Sequence, residues 1–128
     1  QKLSDLKGKT VGGQIGTTGI LYTQRLNDTQ DLGAKVKTYD EVGLAMEDLK
    51  NGRIDAVMCD DRVAKFYAER KAGYAENMRV AFITDEVEYF GFALRKQDTA
   101  LLEKLNQGID AVKAKGIEEQ LQAKWLGN

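Results

Sequence analysis

The chain has 128 residues, of which 42% are hydrophobic and 30% charged, the profile of one globular domain with a real core and too short for two. Its 19 basic and 20 acidic residues leave a net charge of −1, so it has no electrostatic footprint for nucleic acid or for an anionic membrane. There is no histidine and one cysteine, Cys59, so an intramolecular disulfide, a zinc site and a Ser-His-Asp triad all lack their parts, and neither a metal nor a cofactor is expected.

Taken in chain order, Lys2 to Lys9 reads as a lead-in turn and Thr10 to Ile15 as a strand ended by Gly16. Gly16-Thr17-Thr18-Gly19 is a break, after which Ile20 to Asn27 reads as a helix. Ala34 to Tyr39 alternates small or apolar residues with Lys and Thr, a strand pattern, and Asp40 follows as an N-cap. Val42, Ala45, Met46 and Leu49 fall at i, i+3, i+4 and i+7 and give the clearest helical stripe, stopped by Asn51-Gly52. Ile54 to Cys59 reads as a strand buried on both faces. Asp60 and Asp61 open a helix with Val63, Phe66 and Tyr67 on its stripe and Gly73 at its end.

Met78 to Ile83 and Tyr89 to Leu94 read as two more strands. Beyond Lys96 the pattern is purely helical. Asp98 caps a helix lined by Leu102, Leu105, Ile109 and Val112 and ended by Gly116; Ile117, Leu121 and Trp125 mark a last helix closed by Gly127. Three strand-helix alternations with short connections predict an α/β fold. It is a three-layer αβα arrangement with a mostly parallel sheet of about five strands and helices on both faces. The apolar stretches are too short to span a bilayer, and no signal peptide is visible, although processing removes one.

In an open parallel sheet, ligands bind beyond the carboxyl ends of the strands. Gly16-Thr17-Thr18-Gly19 follows the first strand and Asp60-Asp61 the third. Gly16 and Gly19 allow close backbone approach, a helix N-terminus presents unpaired N–H groups, and two hydroxyls add donors: a small anion site. The plainer reading is that Thr18 caps the helix. Asp60 can pair with an ammonium group; its plainer reading is also an N-cap, with Asp61 favoured by the helix dipole. If the two strands are neighbours, the two segments together are complementary to the zwitterionic part of an α-amino acid. Phe66, Tyr67, Phe90, Phe92 and Trp125 are expected in the core, and Cys59 as a small apolar filler.

The residues resemble a known family. Asp5 to Val11, Gln14 to Gly19, Gly52 to Asp60, Gly91 to Lys96, Leu105 to Ile109, and Gly116 through Lys124 to Gly127 are similar, in order and spacing, to the amino-acid-binding solute-binding proteins of polar amino-acid ABC importers. The resemblance spans the whole chain. It implies the bilobal type II periplasmic binding fold, with residues 1–93 as the second lobe and 94–128 as a C-terminal tail that returns to the first lobe. It implies a non-catalytic protein, periplasmic or membrane-attached outside the cell, whose partners are a polar L-amino acid and importer membrane subunits. Thr18 and nearby amides would hold the α-carboxylate, Thr17 would line the side-chain pocket, and Asp60 would hold the α-ammonium. The Asp60-Asp61 doublet resembles that of members that bind acidic amino acids, and glutamate, aspartate and glutamine are the expected ligands.

The family's first lobe has no counterpart here, so one lobe alone implies weak binding. The tail helices would then expose their stripes, repack on their own lobe or pair with another chain; self-association through the C-terminal helices, including a domain swap, is expected. Three other readings stay open. A nucleotide-binding domain would use the glycine loop and Asp40, although Gly13 and Gly16 lack the G-x-G-x-x-G spacing. A catalytic relative would need an acid-base pair, and none is evident. A single-lobe structural or engineered protein would have no ligand.

Overall fold

The computed structural model describes residues 2–125. The chain forms two compact units, the first ending at Thr84 and the second beginning at Asp85.

In the first unit a 3-10 turn, Leu3–Leu6, leads into strand β1, Thr10–Gln14. Helix α1 is Thr18–Gln30, strand β2 Lys35–Tyr39, helix α2 Val42–Lys50 and strand β3 Ala56–Val57. Helix α3, Asp61–Lys65, runs on into a π-helical turn, Phe66–Arg70. The strands form one parallel sheet in the order β2-β1-β3. Thr10 faces Lys35 on one side of β1, and Val11 faces Ala56 on the other.

The pleat of β1 explains how both faces are covered, since successive residues point to opposite sides. Val11 is fully buried against Leu26 of α1, Leu32 and Ala34, with Leu3, Leu6 and Tyr22 around them. A side chain this buried contributes about 1.5–3 kcal/mol. Gly12 points the other way: a Cβ there would stand 2.6 Å from Ile54 Cδ1, 3.0 Å from Tyr39 Cε2 and 3.6 Å from Ala45 Cβ of α2. Gly13 returns to the α1 face, where a Cβ would meet Ile20 Cδ1 at 2.7 Å. Helices thus lie on both faces of the sheet, α1 on one and α2 on the other, the expected three-layer arrangement.

Side chains stitch the elements together. Asn27 of α1 clamps Ala34, donating to its carbonyl at 2.8 Å and accepting from its amide at 3.0 Å. Asp48 of α2 accepts from Tyr39 Oη at 2.7 Å, Lys37 Nζ at 2.9 Å and Arg53 Nη1 at 3.0 Å. These donors hold its carboxyl far below the usual carboxylate range, the Tyr39 hydroxyl foremost. Tyr67, in the π-helical turn, is buried, with Phe66 and Tyr74 edge-on to it and Lys71 over its ring.

The sheet corrects the expected strand count. Among the described residues it has three strands rather than about five, because 78–83 and 89–94 join no ladder. Alternating residues make a strand only where an edge offers matching N–H and C=O groups. The edge at β3 pairs over two residues alone, Ala56 and Val57.

The second unit holds helices α4, Thr99–Ala114, and α5, Ile117–Trp125, which pack on each other. Gly116, between them, adopts φ +61°, a left-handed turn that favours glycine. Gly127, expected to close the last helix, lies outside the described residues. The aromatic expectation also needs correction. Tyr67 is buried, but Phe66, Phe90, Phe92 and Trp125 are exposed, Phe90 at 91%. Among the described residues no helix is long and apolar enough to cross a membrane.

Candidate functional site

All three strands run the same way, so their carboxyl ends open on one edge of the sheet. At this edge β1 passes into the Gly16–Gly19 loop. Gly16 has φ +74°, a turn that a side chain would strain. Thr17 is the N-cap residue of α1, one position earlier than the expected cap Thr18, which is the first helical residue. Thr17 does not cap with its side chain: its hydroxyl turns back and donates to the Gln14 carbonyl at 2.7 Å. The first-turn amides of α1, from Thr18 onward, therefore receive no side-chain cap from Thr17 and point out of the helix with its positive dipole end. Ile15, beside them, is exposed.

Strand β3 is the direct neighbour of β1. Met58 donates its amide to the Gly12 carbonyl at 2.9 Å, and two residues later the chain reaches Asp60. Asp60 is the N-cap residue of α3 but makes no side-chain capping hydrogen bond, and it is exposed. Its neighbour differs: Asp61 is paired with Lys65 at 3.3 Å and with Arg62 at 3.6 Å. The adjacency that the two segments needed is present, since the Gly16–Gly19 loop and Asp60 leave adjacent parallel strands at the same edge. Thr18, the expected cap, lies inside α1, and the two residues at the cap positions, Thr17 and Asp60, make no side-chain capping hydrogen bond to their helices.

The contact between the segments runs through Met58. An ideal Cβ on Gly19 would stand 3.1 Å from Met58 Cγ and 3.2 Å from the Met58 carbonyl oxygen. Sequence reasoning passed over Met58, Gln14 and Thr23. Thr23 is fully buried and donates its hydroxyl to the Gly19 carbonyl at 2.9 Å; only its polarity in a helix face next to a glycine would have marked it. Cys59 is half-buried, and that desolvation, helped by the adjacent Asp60 carboxylate, pushes its thiol up to about 11. No group of three or more Cys, Asp and Glu among the described residues could hold a metal ion.

A helix terminus aimed outward can offer donors to an anion, and the exposed Asp60 carboxylate beside it can accept from a cation. Comparison with known proteins places the chain in a family. Residues 19–128 match the model of the bacterial extracellular solute-binding proteins, family 3, and the chain belongs to that family.

The ABC transporter arginine-binding protein 1 of Escherichia coli strain K12 is 36% identical over 130 residues, covering 96% of this chain and 49% of that protein. The L-cystine-binding protein TcyJ of the same strain is 34% identical over 123 residues, covering 96% of this chain and 44% of that protein. Among solved structures, an ancestral arginine-binding protein bound to arginine superposes with a TM-score of 0.83 at 35% identity, over 99% of this chain and 54% of that one. The chain thus spans about half the length of the relatives it matches. The fold is that of type II periplasmic binding proteins, and these relatives are solute-binding proteins, not enzymes.

Proposed function

We propose that the chain acts as the second lobe (1–93) and returning tail (94–128) of an amino-acid-binding protein that feeds an ABC importer outside the cytoplasmic membrane. The first-turn amides of α1, with Gly16 and Gly19 giving close approach and the Thr18 hydroxyl adding a donor, hold the ligand α-carboxylate. Asp60 holds the α-ammonium, and Thr17 lines the side-chain pocket. The observation that carries this reading is the shared edge: a helix N-terminus and a carboxylate that does not cap its own helix leave neighbouring strands together.

The relatives support the ligand class. Arginine and cystine differ in their side chains but share the α-amino carboxylate, the part that these residues address. L-Arginine is therefore the first ligand to test, with glutamine beside it, and glutamate and aspartate for the Asp60-Asp61 doublet. One lobe covers one side of a ligand, so affinity in this chain is weak, and partner surface for α4 and α5 comes from another lobe or a second copy.

Titration of the full chain with these amino acids, followed by amide chemical shifts, tests the reading. Saturable shifts at Thr17 to Gly19 and at Asp60 are expected, and Asp60→Ala abolishes them. Silence across the panel at millimolar ligand overturns it.

A further inference from the structure

We infer that Gly19 is a positioning residue of the amino-acid site: its bare Cα, seated against Met58, sets the gap between the α1 amides and Asp60. This rests on the reading just proposed.

Gly19 is the second residue of α1 and has no left-handed φ, so backbone conformation does not demand glycine there. Helix propensity would favour alanine. Space is what excludes it. A Cβ at Gly19 would lie 3.1 Å from Met58 Cγ and 3.2 Å from the Met58 oxygen, while a Cβ at Gly13, from β1, would lie 2.8 Å from that same oxygen. The Met58 carbonyl is thus flanked by two glycines, one on the central strand and one on the helix. The buried Thr23 hydroxyl ties down the same turn through the Gly19 carbonyl. Met58 stands two residues before Asp60, so whatever moves the first turn of α1 off Met58 moves the amides away from Asp60. Alanine at 19 forces such a shift by a few tenths of an ångström.

A ligand of fixed span reads that gap. An α-amino acid has one carbon between carboxylate and ammonium, and its β-homologue has two. Widening the gap penalises the first more than the second.

The test is the ratio of affinities for L-arginine and L-β-homoarginine, measured by amide chemical-shift titration of the full chain and of Gly19→Ala. The expected result is a fall in the α-over-β ratio on the order of threefold to tenfold, since charge-assisted hydrogen bonds lose strength steeply with distance and angle. Gly108→Ala, at a helical glycine of α4 with nothing within 4 Å of its Cβ position, leaves the ratio unchanged. Met58→Ala, which removes the Cγ from the same contact and lets the first turn of α1 settle closer, shifts the ratio the other way, upward, without altering Gly19, and it serves if Gly19→Ala does not fold. An unchanged ratio in the folded variants, with L-arginine bound by the parent chain, overturns the inference alone. If the parent binds another amino acid of the panel instead, the ratio is read with that amino acid and its β-homologue; if it binds none, the amino-acid reading is overturned and the inference falls with it.

Discussion

Asp55 and Thr10 are joined twice: the Asp55 amide donates to the Thr10 carbonyl at 2.9 Å, and the Thr10 amide donates to Asp55 Oδ2 at 2.8 Å. A side chain thereby extends the β1-β3 ladder past the two residues of backbone pairing, and Lys9 Nζ adds an ion pair at 3.2 Å. The Thr10 amide, then Lys9, hold the Asp55 carboxyl below its usual range. Asp55→Ala leaves the Thr10 amide without this acceptor and frees the strand that leads to Asp60. Its thermal midpoint falls by several degrees, and hydrogen exchange at Val57 and Met58 accelerates. Unchanged exchange there would show that the short ladder holds by itself.

Asp48 gives a pH dependence with a definite sign. Its folded-state carboxyl lies far below the ordinary value of 3.8, owing first to Tyr39, then to Lys37 and Arg53. The stability it contributes is therefore complete above the unfolded value and is lost as pH falls below it. Urea unfolding of the chain and of Asp48→Asn should differ most at neutral pH and converge from about pH 4 downward. Lys37 is raised, chiefly by Asp48, so its share disappears only in strong alkali, above its ordinary 10.5. Parallel pH profiles for the two proteins would contradict this.

Asn27→Ala removes both hydrogen bonds to Ala34 at a half-buried position and costs about 1–3 kcal/mol. Asn27→Asp keeps the acceptor for the Ala34 amide but loses the donor to its carbonyl, so it falls between the two in equilibrium unfolding. A cost as small as that of an exposed helix substitution would mean that water replaces the clamp.

Gly12 is closed to any side chain. Gly12→Ala puts a methyl 2.6 Å from Ile54 Cδ1 and destabilises by about 1–3 kcal/mol through overpacking. Adding Ile54→Val deletes that Cδ1 and recovers part of the loss, although the Tyr39 ring at 3.0 Å remains. Additive losses in the double variant would locate the clash elsewhere.

Cys59 should be slow. With its thiol pushed up to about 11 by burial, the thiolate fraction at pH 8 is smaller by about 100-fold than that of a thiol at the ordinary 9.0. Labelling with a disulfide reagent is slowed accordingly in the folded chain and becomes rapid in urea. Labelling of the folded chain as fast as in urea would refute the raised thiol.

Much of this was legible in the sequence, and the limits are instructive. Strands β1 and β2 and helix α2 stand within a residue or two of their expected positions, because local hydrophobic period and flanking glycines determine them. The strand expected from Ile54 to Cys59 shrinks to two residues, and those at 78–83 and 89–94 are absent, because pairing belongs to two segments and cannot be read from one. For the candidate site, the residues were readable from glycine and acid placement after apolar runs. Their adjacency was not, since strand order leaves no local mark. The cap at Thr17 instead of Thr18 and the turning of its hydroxyl to Gln14 depend on atomic geometry that residue type leaves open.

The parallel run of β2, β1 and β3 also has a practical side. Every strand enters from the edge opposite the loop and Asp60, where the turns at Asp31 to Gly33 and at Asn51-Gly52 lie. Those turns are exposed at Asp31, Gly33, Asn51 and Gly52 and distant in register from the strand exits. A dye, an affinity handle or a fused reporter grafted at Asn51-Gly52 would hang from the back of this unit and leave the edge proposed for recognition unobstructed.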